Sequence, residues 1–404
     1  MNINRPSYIE KLAHYKDKDL IKAITGVRRS GKSVLLFELF YQYLIEQGVA
    51  KGQIIQVNLE NEENVHLRSS SELYSYINDK KGRWKTHYVM IDEIQYIDAF
   101  EDLLNSLKNN GCDVYVTGSN SKMLSGDIST ALRGRSIEIK VFPLSFAEYY
   151  SYVGGDKREA WNDYSKYGGF PFVATEIDEQ GKTEYLQMLE STVATKDIID
   201  RYHLRNPAIF TAVYDVLCSS IGSLVSAKKI ADTLKSNGYK TVTPDTVGNY
   251  LTYLCESFLF YKAYRYDVKG REYLKTLNKY YISDMGLRNA RMIYRQVEVT
   301  RALENNVYLE LLRRGLTVDI GKNREKEIDF VAVGPKDTYY IQVAYSMVDE
   351  EKRKTELESF KGIDDGYKKI VITMDDDPFT LLERGYRKLY AIDFFLNPHS
   401  LEEV

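Results

Sequence analysis

The stretch Gly26-Val27-Arg28-Arg29-Ser30-Gly31-Lys32-Ser33 decides the fold of the amino-terminal third of this chain. It fits the pattern G-x-x-x-x-G-K-[ST] in full, and it lies between an apolar strand pattern at Leu20–Thr25 and a helical pattern at Val34–Gln47. Glycine permits the tight wrapping that turns backbone N–H groups toward a phosphate, and the start of a helix favours an anion. The pattern predicts a phosphate-binding loop, for which a chance glycine-rich turn is the alternative.

Every residue of this loop is a candidate contact for the phosphates of ATP. Lys32 is expected to reach the β- and γ-phosphates, and the hydroxyl of Ser33 is expected to bind Mg²⁺. The complete set of candidates is Gly26, Val27, Arg28, Arg29, Ser30, Gly31, Lys32, Ser33 and Val34.

An acidic pair supports this prediction. The apolar strand pattern Tyr88–Ile91 ends in Asp92 and Glu93. Because parallel strands bring their carboxyl ends to the edge of the sheet where ligands bind, we expect Asp92 to lie beside Mg²⁺. Glu93 is then expected near the γ-phosphate, where it would orient and deprotonate the attacking water. Two acids in a solvated loop are the alternative.

Polar residues also follow the next strand pattern, Val114–Thr117. Thr117, Ser119 and Asn120 are candidates to sense the γ-phosphate or the attacking water, and the sequence does not choose among them. A helix N-cap at Ser119 or Asn120 is the alternative.

Two arginines, Arg133 and Arg135, precede the last strand pattern of this region, Ile137–Phe142. In phosphoryl transfer an arginine can neutralise the charge of the transition state, within its own chain or in a neighbouring subunit. Both arginines are therefore catalytic candidates, and an exposed surface arginine is the alternative reading for each.

These motifs, together with Phe142-Pro143-Leu144-Ser145-Phe146 and Tyr167-Gly168-Gly169-Phe170-Pro171, resemble the AAA-type ATPases of bacteria and archaea that carry an uncharacterised carboxyl-terminal domain. The resemblance covers nearly the whole chain and implies an α/β fold: a P-loop NTPase parallel sheet with a helical lid, a winged-helix domain and a nuclease-like α/β domain. The expected boundaries are 1–154, 155–206, 207–290 and 291–404. AAA-type relatives often form rings, so a homo-oligomer is also expected.

The segment 226–291 has the helix pattern of a winged helix. It contains twelve Lys and Arg against six Asp and Glu, a surplus that would favour double-stranded DNA. However, the expected recognition helix, which begins at Thr243-Pro244, has no Lys or Arg and would offer only Thr246, Asn249 and Tyr253 to bases. Winged helices also bind proteins, so both partner classes remain open.

The carboxyl-terminal region resembles nuclease folds in which two acids on adjacent strands hold Mg²⁺ and a lysine assists. Asp329 is one such acid, Gln342 stands at the position of the other, and Ala344 stands at the position of the lysine. Glu304, on the preceding helix, is a further candidate ligand. Glu304, Asp329 and Gln342 thus form a candidate second metal site, and nuclease activity is doubtful because the lysine is missing.

Composition narrows the compartment and the class of protein. The net charge is −3, so the whole chain is not a nonspecific binder of polyanions. Cys112, Cys218 and Cys255 have no metal-ligand spacing, and no apolar run is long enough to cross a membrane. We expect a cytoplasmic protein without membrane contact.

The leading functional hypothesis is an ATPase whose ATP and Mg²⁺ cycle moves or switches the domains that follow the P-loop domain. The two alternatives are an ATP-regulated DNA nuclease and a nucleotide-gated protein-interaction module with little turnover.

Overall fold

The computed structural model describes residues 3–120, 134–176, 178–293, 299–377 and 381–403, and for residues 275 and 276 it describes the backbone only. The chain divides into two units. The first unit contains Met1–Pro143 and Glu256–Phe258, and the second contains Leu144–Cys255 and Leu259–Val404.

Five parallel strands form the sheet of the first unit, in the order β2-β3-β4-β1-β5. The strands β1, β3 and β4 are buried along their whole length, as expected when helices cover both faces of a parallel sheet. This confirms the expected P-loop type of α/β sheet. The bounds are β1 Ile21–Thr25, β2 Ile54–Asn58, β3 His87–Asp92, β4 Cys112–Gly118 and β5 Ser136–Lys140.

Helices cover the two faces of this sheet. Leu36 and Phe40 pack with Tyr115 in one apolar cluster, whereas Leu104 packs with Val114 in the other. The helices are α1 Pro6–Tyr15, α2 (Lys32–Val34 continued by the π-helical Leu35–Phe40 and by Tyr41–Glu46), α3 Ser70–Lys80 and α4 Phe100–Asn109, with short 3₁₀ turns at Lys51–Gln53, Glu62–Arg68 and Ile94–Tyr96.

A buried ion pair joins two neighbouring strands of the first unit. Lys22, in β1, is fully buried and binds the carboxylate of Asp113, in β4. Asp113 also accepts a hydrogen bond of 2.8 Å from the hydroxyl of Tyr115. A buried charge that loses its partner is far more costly than an exposed one, because it keeps neither water nor a counter-ion.

We expect Lys22→Met to destabilise the first unit by about 3–5 kcal/mol, since it leaves the Asp113 carboxylate buried without its cation. The double variant Lys22→Met/Asp113→Leu should recover part of that loss. The pair of Lys108 with the exposed Asp19 is the control, and Asp19→Asn should have little effect on stability. Urea unfolding measures all three; equal losses for Lys22→Met and Asp19→Asn would contradict the expectation.

The second unit begins with helices and ends with a mixed sheet. Its helices are α5 Phe146–Val153, α6 Lys157–Tyr167, α7 Pro171–Thr175, α8 Glu179–Thr192 (continued by the π-helical Val193–Asp200), α9 Pro207–Ser219, α10 Ala227–Ser236, α11 Pro244–Glu256, α12 Met285–Arg291, α13 Val299–Arg313, α14 Glu350–Glu358 and α15 Ala391–Leu396, with a 3₁₀ turn at Glu383–Gly385.

Seven strands form the sheet of the second unit, in the order β12-β11-β10-β9-β8-β6-β7. The pairs β6–β8, β10–β11 and β11–β12 are parallel, and the other pairs are antiparallel. The bounds are β6 Phe260–Asp267, β7 Glu272–Ile282, β8 Thr317–Asn323, β9 Lys326–Val333, β10 Thr338–Ala344, β11 Lys368–Thr373 and β12 Arg387–Tyr390.

Two features of this sheet differ from the sequence pattern. The strand β8 was not expected, because Asp319, Gly321 and Asn323 are residue types that strands disfavour. The hairpin β6–β7, which lies in the segment expected to be a winged helix, joins β8 through parallel pairing and forms one edge of the seven-stranded sheet. The hairpin thus belongs to the same sheet as β9 and β10.

The Tyr167–Pro171 motif is held by one carboxylate. Asp284, the N-cap of α12, accepts hydrogen bonds from the N–H groups of Gly169 (2.7 Å) and Gly286 (2.8 Å). A Cβ atom on Gly168 would lie 1.8 Å from an Asp284 oxygen, so only glycine fits there. Burial raises the pKa of Asp284 to about 7, although these backbone hydrogen bonds oppose the shift.

The raised pKa of Asp284 predicts that the free energy of unfolding falls as pH rises. The unfolded chain releases the Asp284 proton near pH 4, whereas the native protein holds it until about pH 7. Stability is therefore fully present below about pH 4 and declines up to about pH 7. Asp284→Asn mimics the protonated form, so its stability relative to the wild type should rise across this range.

The measurement is the urea midpoint of both proteins as a function of pH. The exposed Asp232→Asn is the matched control, because it removes a carboxylate that lies on the surface. Parallel curves for the wild type and Asp284→Asn would contradict the assignment.

In the described part of the chain, no helix is both long enough and apolar enough to span a bilayer. All three cysteines are free thiols.

Candidate functional site

The loop Gly26–Ser33 connects the carboxyl end of β1 to the start of α2. Gly26 has φ 149°, and a Cβ atom there would lie 2.0 Å from the carbonyl oxygen of Val141. Gly31 adopts the left-handed conformation with φ 94° and is the N-cap of α2. Both positions of the motif therefore need glycine for a reason that is visible in the backbone.

Lys32 lies over the loop. It is buried, and its ammonium donates to the carbonyl oxygens of Gly26 (2.9 Å) and Val27 (3.0 Å). Ser30 is also buried, and within the described part of the chain its hydroxyl has no hydrogen-bond partner. A buried cation and an unsatisfied hydroxyl at a helix N-terminus suit a bound phosphate.

The side chains of Arg28, Arg29 and Val34 lie at the surface end of the site. Arg28 is half-buried and lies 3.4 Å from Glu60, whereas Arg29 and Val34 are exposed. Val27 is buried, so its side chain packs in the core and only its backbone faces the loop.

Asp92, at the end of β3, is brought together with the loop. Its Oδ1 atom accepts hydrogen bonds from the hydroxyls of Ser33 (3.0 Å) and Thr117 (2.5 Å). Burial raises the pKa of Asp92; the hydrogen bond from Thr117 opposes this, and the charge of Glu93 adds to it. A buried carboxylate beside a hydroxyl provides the hard oxygen ligands that Mg²⁺ prefers, so these residues fit that ion.

Glu93 follows directly, in a left-handed backbone conformation with φ 56°. Its N–H donates to the hydroxyl of Thr117 at 2.9 Å, and its carboxylate accepts a hydrogen bond from the side-chain amide of Gln95. Two neighbours therefore fix its backbone and its side chain.

Thr117, near the end of β4, and the residues that follow β4 lie at the same edge of the sheet as Asp92. Thr117 contacts both Asp92 and the backbone of Glu93, so it is joined to the acidic pair. Ser119 and Asn120 are buried, and the Ser119 hydroxyl has no hydrogen-bond partner in the described residues.

Arg135 is not brought to this site within one chain. Its carbonyl oxygen accepts a hydrogen bond of 2.8 Å from the N–H of Ile21, so it lies where β1 begins. The loop follows the other end of β1, roughly 15 Å away along five residues of strand. Arg135 is exposed, and Arg133 lies outside the described residues.

Arg5 supports the loop and was not predicted. It is buried, and its guanidinium donates to the carbonyl oxygens of Ser30 (3.0 Å) and Phe142 (2.9 Å). It also stacks over the ring of Tyr8, at 4.4 Å from the centroid. The partners are 25 and 137 residues away, and no local pattern reports a contact of that kind.

The second candidate site is centred on a lysine that sequence reasoning missed. Lys279, in β7, is buried and lies 2.9 Å from Glu304, 2.7 Å from Glu327 and 3.8 Å from Asp329. Burial acts to lower the pKa of Lys279, but these three carboxylates outweigh it and the net shift is upward. Burial and the charge of Glu304 raise the pKa of Asp329, which Lys279 opposes.

Gln342 lies next to this cluster. Its side-chain oxygen accepts from the N–H of Asp329 at 3.4 Å, and its amide donates to Glu356 at 2.8 Å. The structure thus brings Glu304, Asp329 and Gln342 into one region. Among the described residues, however, no three acidic, histidine or cysteine side chains are arranged to hold a metal.

Some of the α11 residues that were expected to contact DNA bases make contacts within the protein instead. Thr243 caps α11 as predicted, accepting from the N–H of Thr246 at 3.2 Å. Tyr253 stacks on Tyr202 with ring centroids 3.9 Å apart. Asn249 is exposed.

Three of the twelve cations of this segment are also engaged inside the protein. Lys279 and Arg288 are buried, and Arg291 binds Asp215 at 2.7 Å. The surplus that could contact phosphates is correspondingly smaller.

Comparison with known proteins agrees with the fold. A family model described as an AAA domain matches residues 18–150, and one described as Domain of unknown function (DUF8612) matches residues 158–296. A solved Walker-type ATPase of Pyrococcus abyssi has a TM-score of 0.50 and 15% identity, covering 72% of this chain and 96% of its own.

Two relatives match by sequence. An uncharacterized protein of Methanocaldococcus jannaschii is 29% identical over 359 residues, which is 84% of this chain and 78% of that protein. An uncharacterized protein of Haemophilus influenzae is 37% identical over 401 residues, which is 98% of each. This chain therefore belongs to one family with the Haemophilus influenzae protein, and its amino-terminal third is an AAA-type P-loop ATPase domain.

Proposed function

We propose that this protein is a Mg²⁺-dependent ATPase whose nucleotide cycle switches the position of the parts that follow the AAA domain. The observation that carries the proposal is the convergence of Ser33, Asp92 and Thr117, which joins the phosphate-binding loop to the ends of β3 and β4. That arrangement, with a carboxylate following Asp92, is suited to hydrolysis as well as to binding.

The proposed roles follow from chemistry and position. Lys32 exchanges its contacts with the Gly26 and Val27 carbonyl oxygens for the β- and γ-phosphates of ATP, and the loop N–H groups bind the same oxygens. Glu93 accepts a proton from the attacking water and orients it, and Thr117 holds the backbone of Glu93 in place. Ser119 and Asn120 remain candidates to sense the γ-phosphate.

Ser33 and Asp92 would hold Mg²⁺, which when bound neutralises charge on the phosphate oxygens. Arg135 would act only on a site in a neighbouring subunit, because it lies at the opposite edge of its own sheet. Arg133 stays a candidate for the same role. This arrangement implies a homo-oligomer.

The output of the cycle is proposed to be movement of the lid (155–206), the winged-helix segment (207–290) and the nuclease-like region (291–404). The partner is DNA or a protein. The cluster around Lys279 supplies the lysine that the nuclease pattern lacks, and this observation keeps an ATP-regulated nuclease as the second candidate. A cytoplasmic location suits the three free thiols.

Lys32→Ala should abolish turnover and weaken ATP binding by at least about tenfold, because it removes the cation that reaches the phosphates. The measurement is phosphate release with Mg²⁺-ATP, with and without duplex DNA, beside ATP affinity from calorimetry. Lys51→Ala, a change of an exposed lysine, is the matched control and should behave like the wild type.

The DNA comparison separates the partner classes. Turnover that rises with DNA and disappears in Lys32→Ala supports a DNA-acting ATPase. Turnover that ignores DNA directs the search to protein partners. Absence of wild-type turnover, with ATP still bound, would replace the proposal with a nucleotide-gated interaction module.

Glu93→Gln should keep ATP affinity and lower kcat by roughly 10²- to 10⁴-fold, the usual contribution of a general base. The amide keeps the size of the side chain but cannot take a proton. Single-turnover phosphate release measures the effect, with the exposed Glu62→Gln as control. Near-normal turnover of Glu93→Gln would remove Glu93 from the mechanism.

A further inference from the structure

A cleft of about 610 Å³ lies on one face of the seven-stranded sheet. Phe330 packs with Tyr308 of α13, with ring centroids 5.7 Å apart, so the next residue of β9, Val331, faces the opposite side. Val331 lines the cleft, which therefore lies on the face away from α13. On that face Leu357 of α14 joins an apolar cluster that also contains Val331 and Tyr340.

Four tyrosines line this cleft. Tyr266 and Tyr273 meet edge to face with centroids 5.4 Å apart, and Tyr340 and Tyr367 meet in the same way at 6.0 Å. Tyr273 and Tyr367 remain about half exposed, so their rings are accessible from solvent. Tyr266 and Tyr273 come from the hairpin β6–β7, whereas Tyr340 lies in β10 and Tyr367 directly precedes β11.

Two carboxylates lie among these rings, and each is held by a tyrosine hydroxyl. Tyr273 donates to Asp319 at 2.9 Å, and Tyr340 donates to Asp365 at 2.7 Å. Asp365 is also paired with Lys369, at 3.1 Å. Asp319 differs, because in the described residues no lysine or arginine lies within ion-pair distance of it.

Asp319 is 6% exposed, so it has lost most of its water without gaining a cation. Burial raises the pKa of Asp319, and the hydrogen bond from Tyr273 opposes the shift. A buried carboxylate in this position is costly unless a ligand supplies the opposite charge.

We propose that this cleft binds an organic cation, an ammonium or guanidinium group that lies against the tyrosine faces and pairs with Asp319. Tyrosine rings attract cations through their negative faces, and a nearby carboxylate adds direct charge pairing. The same wall is unsuited to phosphates, since its two carboxylates repel them. Arg271 is the one basic residue among those described along the cleft, and it lies exposed at the hairpin turn.

Two kinds of molecule carry such a cation: a free polyamine, and a polypeptide with a lysine or arginine side chain. Calorimetry of the full-length protein with spermidine, N-acetyl-lysine methylamide and N-acetyl-arginine methylamide distinguishes them at physiological ionic strength. We expect one site per chain for at least one probe, and the probe that binds most tightly identifies the source.

Two variants change the charge of the cleft in opposite directions. Asp319→Asn should weaken the probe by about tenfold, the scale of one lost charge pair at a partly desolvated site. Arg271→Ala should tighten it by about two- to fivefold, because a repelling cation is removed from the rim. Asp337→Asn, which changes an exposed carboxylate in the turn between β9 and β10, should leave binding unchanged.

The affinity for an anionic ligand should respond to these variants in the opposite direction. If a single-stranded oligonucleotide binds the cleft and Arg271→Ala weakens it, the cleft is an anion site and the proposal is overturned. It is also overturned if none of the three cations binds, or if Asp319→Asn binds them as the wild type does. Circular dichroism of each variant confirms that the fold is kept, and Arg271→Ala, on the surface, provides a test that does not depend on the core.

Discussion

The nucleotide site depends on one buried carboxylate, Asp92, which holds together parts of the chain that are distant in sequence. It accepts hydrogen bonds from Ser33 on the loop and from Thr117 on the neighbouring strand. Burial raises the pKa of Asp92 because it penalises the charged carboxylate. A cation bound beside Asp92 would therefore stabilise the charged form. The loop, the acidic pair and the end of β4 form one site through this residue.

The rest of the first unit serves to hold that edge of the sheet. The parallel strands bring Thr25, Asp92 and Gly118 to one edge, where their loops can meet a ligand. The buried pair of Lys22 and Asp113 lies on the two central strands β1 and β4. In the second unit, the buried ammonium of Lys279 is likewise paired with carboxylates, those of Glu304, Glu327 and Asp329.

The sequence predicts the parts of this structure that local patterns encode. The loop glycines, the strands β1, β3, β4 and β5 and the Thr243 cap all depend on residues that are close together along the chain. Arg5 and Lys279 were missed because their partners come from distant segments, and a single basic residue carries no local signal. The strand β8 was missed because Asp319 and Gly321 are residue types that strands disfavour. One of these two residues, Asp319, lines the cleft of the second unit.

Arg5 has a practical consequence for work on the isolated domain. The family match to the AAA domain starts at residue 18, yet the guanidinium that braces the loop carbonyl of Ser30 lies thirteen positions earlier, just before α1. A protein fragment cut at the matched boundary would lose both that brace and the helix that carries Tyr8. The useful limit of the nucleotide-binding part is therefore set by a side chain rather than by the extent of sequence similarity.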